Sequence, residues 1–365
     1  MKYKIAVIKG DGIGPEIIKE AIKVLDAVSN STDLTFDYRY VAMGGESIEK
    51  CGEAITDEAI ATCKDSDAVL FGAIGDPKYD NDPSVKVRPE QGLLKLRKEL
   101  GLYANVRPIK AYKQLIEKSP LKSAIIEKVD MVIYRELTGG IYFGNKGTNE
   151  DESFAWDTCE YEVTEIYRIL KLAFKAAQSR SKKLTLIDKA NVMETSRLWR
   201  KMAQEMSTDY EDVELNFLFV DNAAMQMILN PSQFDVIATS NMFGDIISDE
   251  ASVIAGSLGL LPSASIGVQS ALFEPIHGSY PQAKGLGVAN PVGTILSAAM
   301  MLRHLGYPEL EKVIQQAVSL SFDKGVVGKD LVESNYSSTQ QIGNFISEYV
   351  ASHVNIPMIS AYGEI

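Results

Sequence analysis

Cysteine is scarce in this sequence: the 3 present, Cys51, Cys63 and Cys159, are odd in number and lack metal-ligand spacing. Such a set builds neither a disulfide framework nor a zinc site, and free thiols suit a reducing cytoplasm. Long apolar runs are missing too. The longest, near residues 68–74, falls far short of the ~20 residues a membrane helix needs. The opening MKYKIAVIKG reads as a strand entering a turn, without the apolar stretch and cleavage site of a signal peptide. Positive charge is in deficit, 37 Lys+Arg against 49 Asp+Glu, a formal net charge of −12. A surface of that sign repels nucleic-acid phosphates and anionic lipid, so both are excluded as bulk partners. An anionic substrate would need a local cluster of Arg or Lys to overturn that field.

What is present is an ordinary globular composition, 45% hydrophobic and 24% charged over 365 residues. That length suggests about two domains. Short β-branched runs at 3–8, 68–74, 131–135, 184–188, 215–220 and 236–239 have strand character. Between them, residues 15–28 set Ile18, Ile22, Leu25 and Val28 at helical spacing, and residues 163–177 repeat the pattern. Strands alternating with helices predict an α/β protein with a largely parallel sheet. Residues 139–157 break the alternation, with extended aromatic pieces interrupted by Gly and Asn, as in a hairpin. A lone hairpin is marginal in water, so this one is expected to pair with another chain as a dimerisation arm; an ordinary surface hairpin is the alternative.

Five segments could carry chemistry. Gly10–Gly14, followed by Pro15 and Glu16, tempts a dinucleotide reading, but Pro15 stands where that fingerprint needs glycine. Pro15 suits a first helical turn, and Glu16 would repel a pyrophosphate at the helix end. A tight structural turn is the better reading. In NMFGDIISD (241–249), a helix beginning near Gly244 would put Asp245 and Asp249 on one face. Paired acids are often only a solvated face, but their place after the strand at 236–239 favours a Mg²⁺ or Mn²⁺ site. Arg97, Arg107 and Arg135 offer planar forks for carboxylates, although spacing alone does not make them converge. Lys189 ends a strand, where a solvent-facing lysine is the plainer reading; beside a metal and arginines it would shed its proton more readily, which suits a general base. Tyr142, in the arm, could donate a proton or merely pack. Residues 273–291, rich in Gly, Pro, Ser and Asn, read as a long binding loop, whose His277 could stack on a base or equally serve a capping or structural role.

Together these motifs resemble the β-hydroxyacid oxidative decarboxylases, the isocitrate/isopropylmalate dehydrogenase family, over nearly the whole chain. The segments that carry the resemblance are GDGIGPE (10–16), GLLKLRKELGLYANVRP (92–108), RELTGGIYFG (135–144), DKANV (188–192), NMFGDIISDEAS (241–252), GSLGLLPSAS (256–265) and FEPIHGS with NP (273–291). It implies a two-domain α/β fold that is not the standard Rossmann fold. A cofactor-binding domain of residues 1–102 with 256–365 would flank a metal, substrate and dimerisation domain of 103–255, with the substrate cleft between domains.

By resemblance, Arg97, Arg107 and Arg135 bind the carboxylates of a malate, and Asp221, Asp245 and Asp249 bind Mg²⁺ or Mn²⁺. Lys189 and Asp221 reach the partner subunit's site, where Asp221 also meets substrate, so a homodimer with shared active sites is implied. Lys189 takes the proton of the 2-hydroxyl, and Tyr142 serves protonation of the enol carbon. NAD would be held by Ile13, Glu90, Glu274, His277, Gly278, Ser279, Tyr280, Gln282 and Asn290. Leu93 and Leu94, with Val192 of the other subunit, would form an apolar pocket for an isopropyl group. The implied reaction is NAD-dependent oxidative decarboxylation of 3-isopropylmalate in leucine biosynthesis. The family's NAD users commonly carry Asp where Gln282 stands, so NADP should be rejected less firmly here. Residues 76–89 and the tail after about residue 354 depart from the family pattern. Competing readings are a D-malate or tartrate dehydrogenase of the same family, a non-catalytic regulatory subunit, and a metal-dependent lyase without nicotinamide.

Overall fold

A computed structural model describes residues 1–79 and 85–354. The divergent segment at 76–89 lies partly, and the tail after residue 354 wholly, outside the described residues. The chain divides into two compact units, Met1–Leu102 with Ser257–Ile365, and Tyr103–Gly256.

In the first unit the strand order is Thr35–Val41, Lys2–Gly10, Ala68–Ala73, Ala271–Pro275, Pro262–Gly267. Its pairings are parallel except the last, which is antiparallel. The central strand Ala68–Ala73 is buried along its length, as its unbroken apolar sequence requires. Helix Gly14–Ser31 has Pro15 in its first turn and buries Ile17, Ile18, Ala21, Val24, Leu25 and Val28 along one stripe. Helix Val292–His304 is enclosed on almost every side, ten of its thirteen residues being buried.

The second unit repeats the plan. Leu102–Lys110 runs antiparallel to Asp130–Glu136, and Val236–Thr239, Lys183–Asp188 and Glu214–Phe219 follow in parallel. Helices Val163–Gln178, Glu194–Ser207, Val220–Leu229 and Asn241–Ser252 complete it. No helix among the described residues is long and apolar enough to cross a membrane.

The six strands expected from β-branched runs are present, but Thr35–Val41, Leu102–Lys110, Pro262–Gly267 and Ala271–Pro275 were not anticipated. Two corrections follow. The loop expected from residue 273 starts later, because residues 273–275 end a strand. The helix expected near Gly244 begins at Asn241, directly after the strand Val236–Thr239. In the expected arm, Lys146–Thr148 pairs antiparallel with Ala155–Asp157. Phe154 and Trp156 stack there with ring centroids 5.8 Å apart and stay exposed. Tyr142 is not in this hairpin but in the short turn Gly140–Tyr142 before it.

Candidate active site

Four parallel strands of the second unit deliver chemistry at their C-terminal ends, where open α/β sheets place their ligands. Arg135 closes one strand and pairs in register with Thr239, and Thr239 in turn pairs with Ile187. Lys189 follows Asp188, which is level with Phe219, and Asp221 lies in the first turn of the next helix. On the antiparallel side Asn105 is level with Arg135, so Arg107, two residues on, projects from the same face.

Arg107 and Arg135 converge on the helix Asn241–Ser252, both almost wholly buried at 9% and 7% exposure. Arg135 Nη1 donates to Asp245, while its Nε and Nη2 donate to Asn241 Oδ1 at 3.2 and 2.9 Å. Arg107 donates from Nε to Asn105 Oδ1 at 2.6 Å, and from Nη1 to Ser248 Oγ at 2.6 Å and Asp249 at 2.9 Å. Gly244 makes room for this: a Cβ there would lie 2.6 Å from Arg135 Cγ. Tyr142 donates its hydroxyl to Asp245 at 2.8 Å. Burial first, and then that hydrogen bond, hold its phenol above the usual range, so it keeps its proton. Buried Glu136 fixes the backbone leading to Tyr142, accepting from the Thr138 and Gly139 amides at 2.8 Å.

Lys189 and Asp221 form their own pair at 2.6 Å, with Lys189 held at the backbone by Ser196 Oγ. The hydrogen bond from Lys189 lowers the Asp221 carboxyl below its usual range. Val192, just beyond, is 65% exposed.

In the first unit the turn at 10–14 and the loop after residue 276 are built as one piece. Ile13 N–H donates to the Ser279 carbonyl at 2.8 Å. Gly12 sits at φ +56°, and a Cβ there would collide with that same carbonyl. Glu16 is not a bystander at the helix end: it accepts the Gly285 and Gly287 amides and so pins the loop. Gly12→Ala should therefore cost about 2 kcal/mol or more, read as a lowered Tm.

A cavity of about 500 Å³ opens beside this turn, with Ile13, His277, Gly278, Tyr280 and Asn290 in its wall. His277 Nε2 is buried without a partner, and burial lowers the ring's proton affinity, keeping it neutral at pH 7. Asn290 Nδ2 donates to Asp330 at 3.1 Å. Ser279 is buried, while Glu90 and Gln282 are exposed. Glu274 pairs with Arg97 at 2.7 Å.

The sequence pairing of Leu93 with Leu94 needs correcting. Leu93 belongs to a core cluster with Leu96 and Leu100, whereas Leu94 is 53% exposed and stands one turn from Arg97. Only Leu94 is offered to a ligand. Ser257, Lys329 and Asp330 of the cavity wall, and Asn105, Asn241 and Ser248 around the arginines, were not singled out from sequence. Each is an ordinary polar residue whose role shows only through what it faces.

Asp245 and Asp249, four residues apart on one helix, are hard oxygen donors that fit Mg²⁺ or Mn²⁺. Among the described residues no group of three His, Cys, Asp or Glu could hold a metal, so this helical turn offers two ligands. The neutral, unpartnered His277 nitrogen in an apolar-walled cavity fits the base of a nucleotide.

Residues 4–346 match the family described as isocitrate/isopropylmalate dehydrogenase. The 3-isopropylmalate dehydrogenase of Bacteroides fragilis is 50% identical over 352 residues, covering 96% of this chain and 99% of that one. That of Bacillus subtilis is 47% identical over 363 residues, covering 98% and 99%. Among solved structures, isocitrate dehydrogenase from Methylococcus capsulatus superposes with a TM-score of 0.83 at 34% identity, covering 96% and 99%. A β-decarboxylating dehydrogenase from Thermococcus kodakarensis gives 0.80 at 35% identity, covering 96% of each chain.

Proposed function

From its place in the isocitrate/isopropylmalate dehydrogenase family, to which this chain belongs, we propose that this decarboxylating oxidoreductase converts 3-isopropylmalate and NAD to 4-methyl-2-oxopentanoate, carbon dioxide and NADH. That is the dehydrogenase step of leucine biosynthesis, placed in the cytoplasm. The observation that carries the reading is the cluster of Arg107, Arg135, Tyr142, Asp245 and Asp249 on one helix face.

In this reading Arg107 and Arg135 grip the malate carboxylates with parallel hydrogen bonds, and Arg97 adds a third cation. Lys189 accepts the proton of the 2-hydroxyl as the carbon is oxidised. Asp245 and Asp249, with Asp221 of the partner subunit, hold the divalent ion. A divalent ion held there would stabilise negative charge on the C2 oxygen during loss of carbon dioxide, which follows the oxidation for which NAD would be the hydride acceptor. Tyr142, held protonated, then supplies a proton toward the enol carbon. The first unit binds NAD, with His277 and Ile13 against the adenosine; the second binds metal and substrate and dimerises. The exposed Phe154 and Trp156 of the hairpin support a homodimer.

Substrate choice rests on Leu94 beside Arg97, an apolar group next to a cation, with Val192 of the partner subunit. Burying three carbons of an isopropyl branch at ~0.8 kcal/mol each gives ~2.4 kcal/mol, about fifty-fold. An isocitrate carboxylate in that place would lose its solvation against leucine. Purified protein assayed with 3-isopropylmalate, D-malate and isocitrate, each with NAD and Mg²⁺, should favour the first. A higher efficiency with D-malate would replace this reading with the malate one.

Cofactor choice is testable separately. Gln282 can hydrogen-bond a ribose but carries no charge to repel a 2′-phosphate. NAD should be preferred, and Gln282→Asp should widen the NAD-to-NADP ratio of kcat/KM by about tenfold. A wild-type preference for NADP would refute the assignment.

A further inference from the structure

Three arginines elsewhere among the described residues set their Nε on carboxylates, while Arg197 Nε donates to the Ala190 carbonyl at 3.0 Å. Arg180 Nε donates to Asp235 at 2.7 Å, Arg200 Nε to Asp188 at 2.8 Å, and Arg303 Nε to Glu311. At Arg107 and Arg135 the acceptor is an amide oxygen instead, Asn105 and Asn241. These two are the more deeply buried arginines, and their counterions, Asp249 and Asp245, sit on Nη1 and leave Nε to the neutral amides.

The amide at 241 is held so that its oxygen faces the guanidinium. Asn241 Nδ2 donates to the Gly139 carbonyl at 3.2 Å, and its backbone N–H donates to Tyr161 Oη at 2.9 Å. Asn105 lies on the strand beside Arg135, two residues from the arginine it serves. Both guanidiniums are therefore met at Nε by amide dipoles that add no charge, the one at 241 held in place by the Gly139 carbonyl.

We infer that Asn105 and Asn241 are positioning residues that orient Arg107 and Arg135 through neutral acceptors, so that both positive charges are kept for the carboxylates of a small diacid. The inference rests on the proposed reading of this cluster as a site for a dicarboxylate and a divalent cation. Charge counting gives the reason. Arg107 and Arg135 balance Asp245 and Asp249, and Arg97 offsets Asp221 of the partner subunit; once the acids hold a divalent cation, two positive charges stand against the two of the diacid. An acid at position 105 or 241 would keep an acceptor for the guanidinium and cancel one of them, and at 241 it would also give up the donation to the Gly139 carbonyl. It would also make the cluster more negative for the cation.

The test is Asn241→Asp and Asn105→Asp, each in the full-length protein, with Mn²⁺ and then 3-isopropylmalate at saturating Mn²⁺ titrated by calorimetry without NAD. In each variant the diacid Kd should rise about tenfold or more while the Mn²⁺ Kd falls. Asn241→Ala, which removes the acceptor without adding charge, should weaken the diacid and leave Mn²⁺ binding unchanged. Circular dichroism and Tm check that each variant is folded, and either asparagine alone suffices to decide. Asp variants that bind both ligands within about twofold of wild type, or that weaken both alike, would overturn the inference and leave the asparagines a purely structural role. Wild-type protein that binds neither 3-isopropylmalate nor malate would overturn the underlying functional reading, and this inference with it.

Discussion

Lys189→Ala should lower kcat with 3-isopropylmalate by about 10²–10⁴-fold, the range for loss of a positioned general base. Substrate KM should move far less, because the arginines remain. Asp245→Ala should be inactive as well, through loss of the divalent ion. The larger effect comes from mixing the two. If Lys189 serves the partner subunit's site, refolding the variants together yields mixed dimers in which one of two sites has both residues intact. With half of all dimers mixed, activity should recover to roughly a quarter of wild type. Recovery is read by steady-state assay after co-refolding. No recovery, with mixed dimers demonstrated, would place Lys189 and Asp245 in the same subunit's site.

Arg135→Met should raise the KM for the diacid by about 100-fold or more, the loss expected when one partner of a buried charge pair is truncated. It should also cost stability of about 1–3 kcal/mol, because Asn241 Oδ1 is left buried without the donors it now receives. Arg135→Lys should not rescue either effect. A single ammonium cannot reach Asn241 from one edge and Asp245 from the other, as the planar fork does. Steady-state kinetics and thermal unfolding of both variants check this. A lysine variant with near wild-type KM would show that charge alone, without geometry, holds the diacid.

Much of this site could be read before any coordinates. Asp245 and Asp249 declare themselves by helical spacing after a short strand, and Arg135 by its place at a strand end. Other parts had signals that were outweighed. Leu93, Leu96 and Leu100 follow a core stripe of i, i+3 and i+7, which separates Leu93 from Leu94, yet their adjacency suggested a pair. The strand Leu102–Lys110 hides behind Arg107 and Pro108, since proline is a poor strand former and is tolerated here in an antiparallel pairing. Glu16 was legible only as a charge at a helix end. Its bonds to Gly285 and Gly287 join residues some 270 positions apart, and nothing local in the sequence encodes them. The same is true of Asn241, whose guanidinium partner lies 106 residues earlier.

The guanidinium–carboxylate contacts of this cluster would link the two proposed recognition events thermodynamically. Arg107 and Arg135 are self-neutralised by Asp249 and Asp245, so neither set of charges is fully available while it answers the other. Withdrawing the acids toward a cation releases the guanidiniums, and withdrawing the guanidiniums toward a diacid releases the acids. If the cluster takes a cation and a diacid as proposed, each ligand would strengthen the other by the same factor, as reciprocity demands, and the pair would behave as one composite guest.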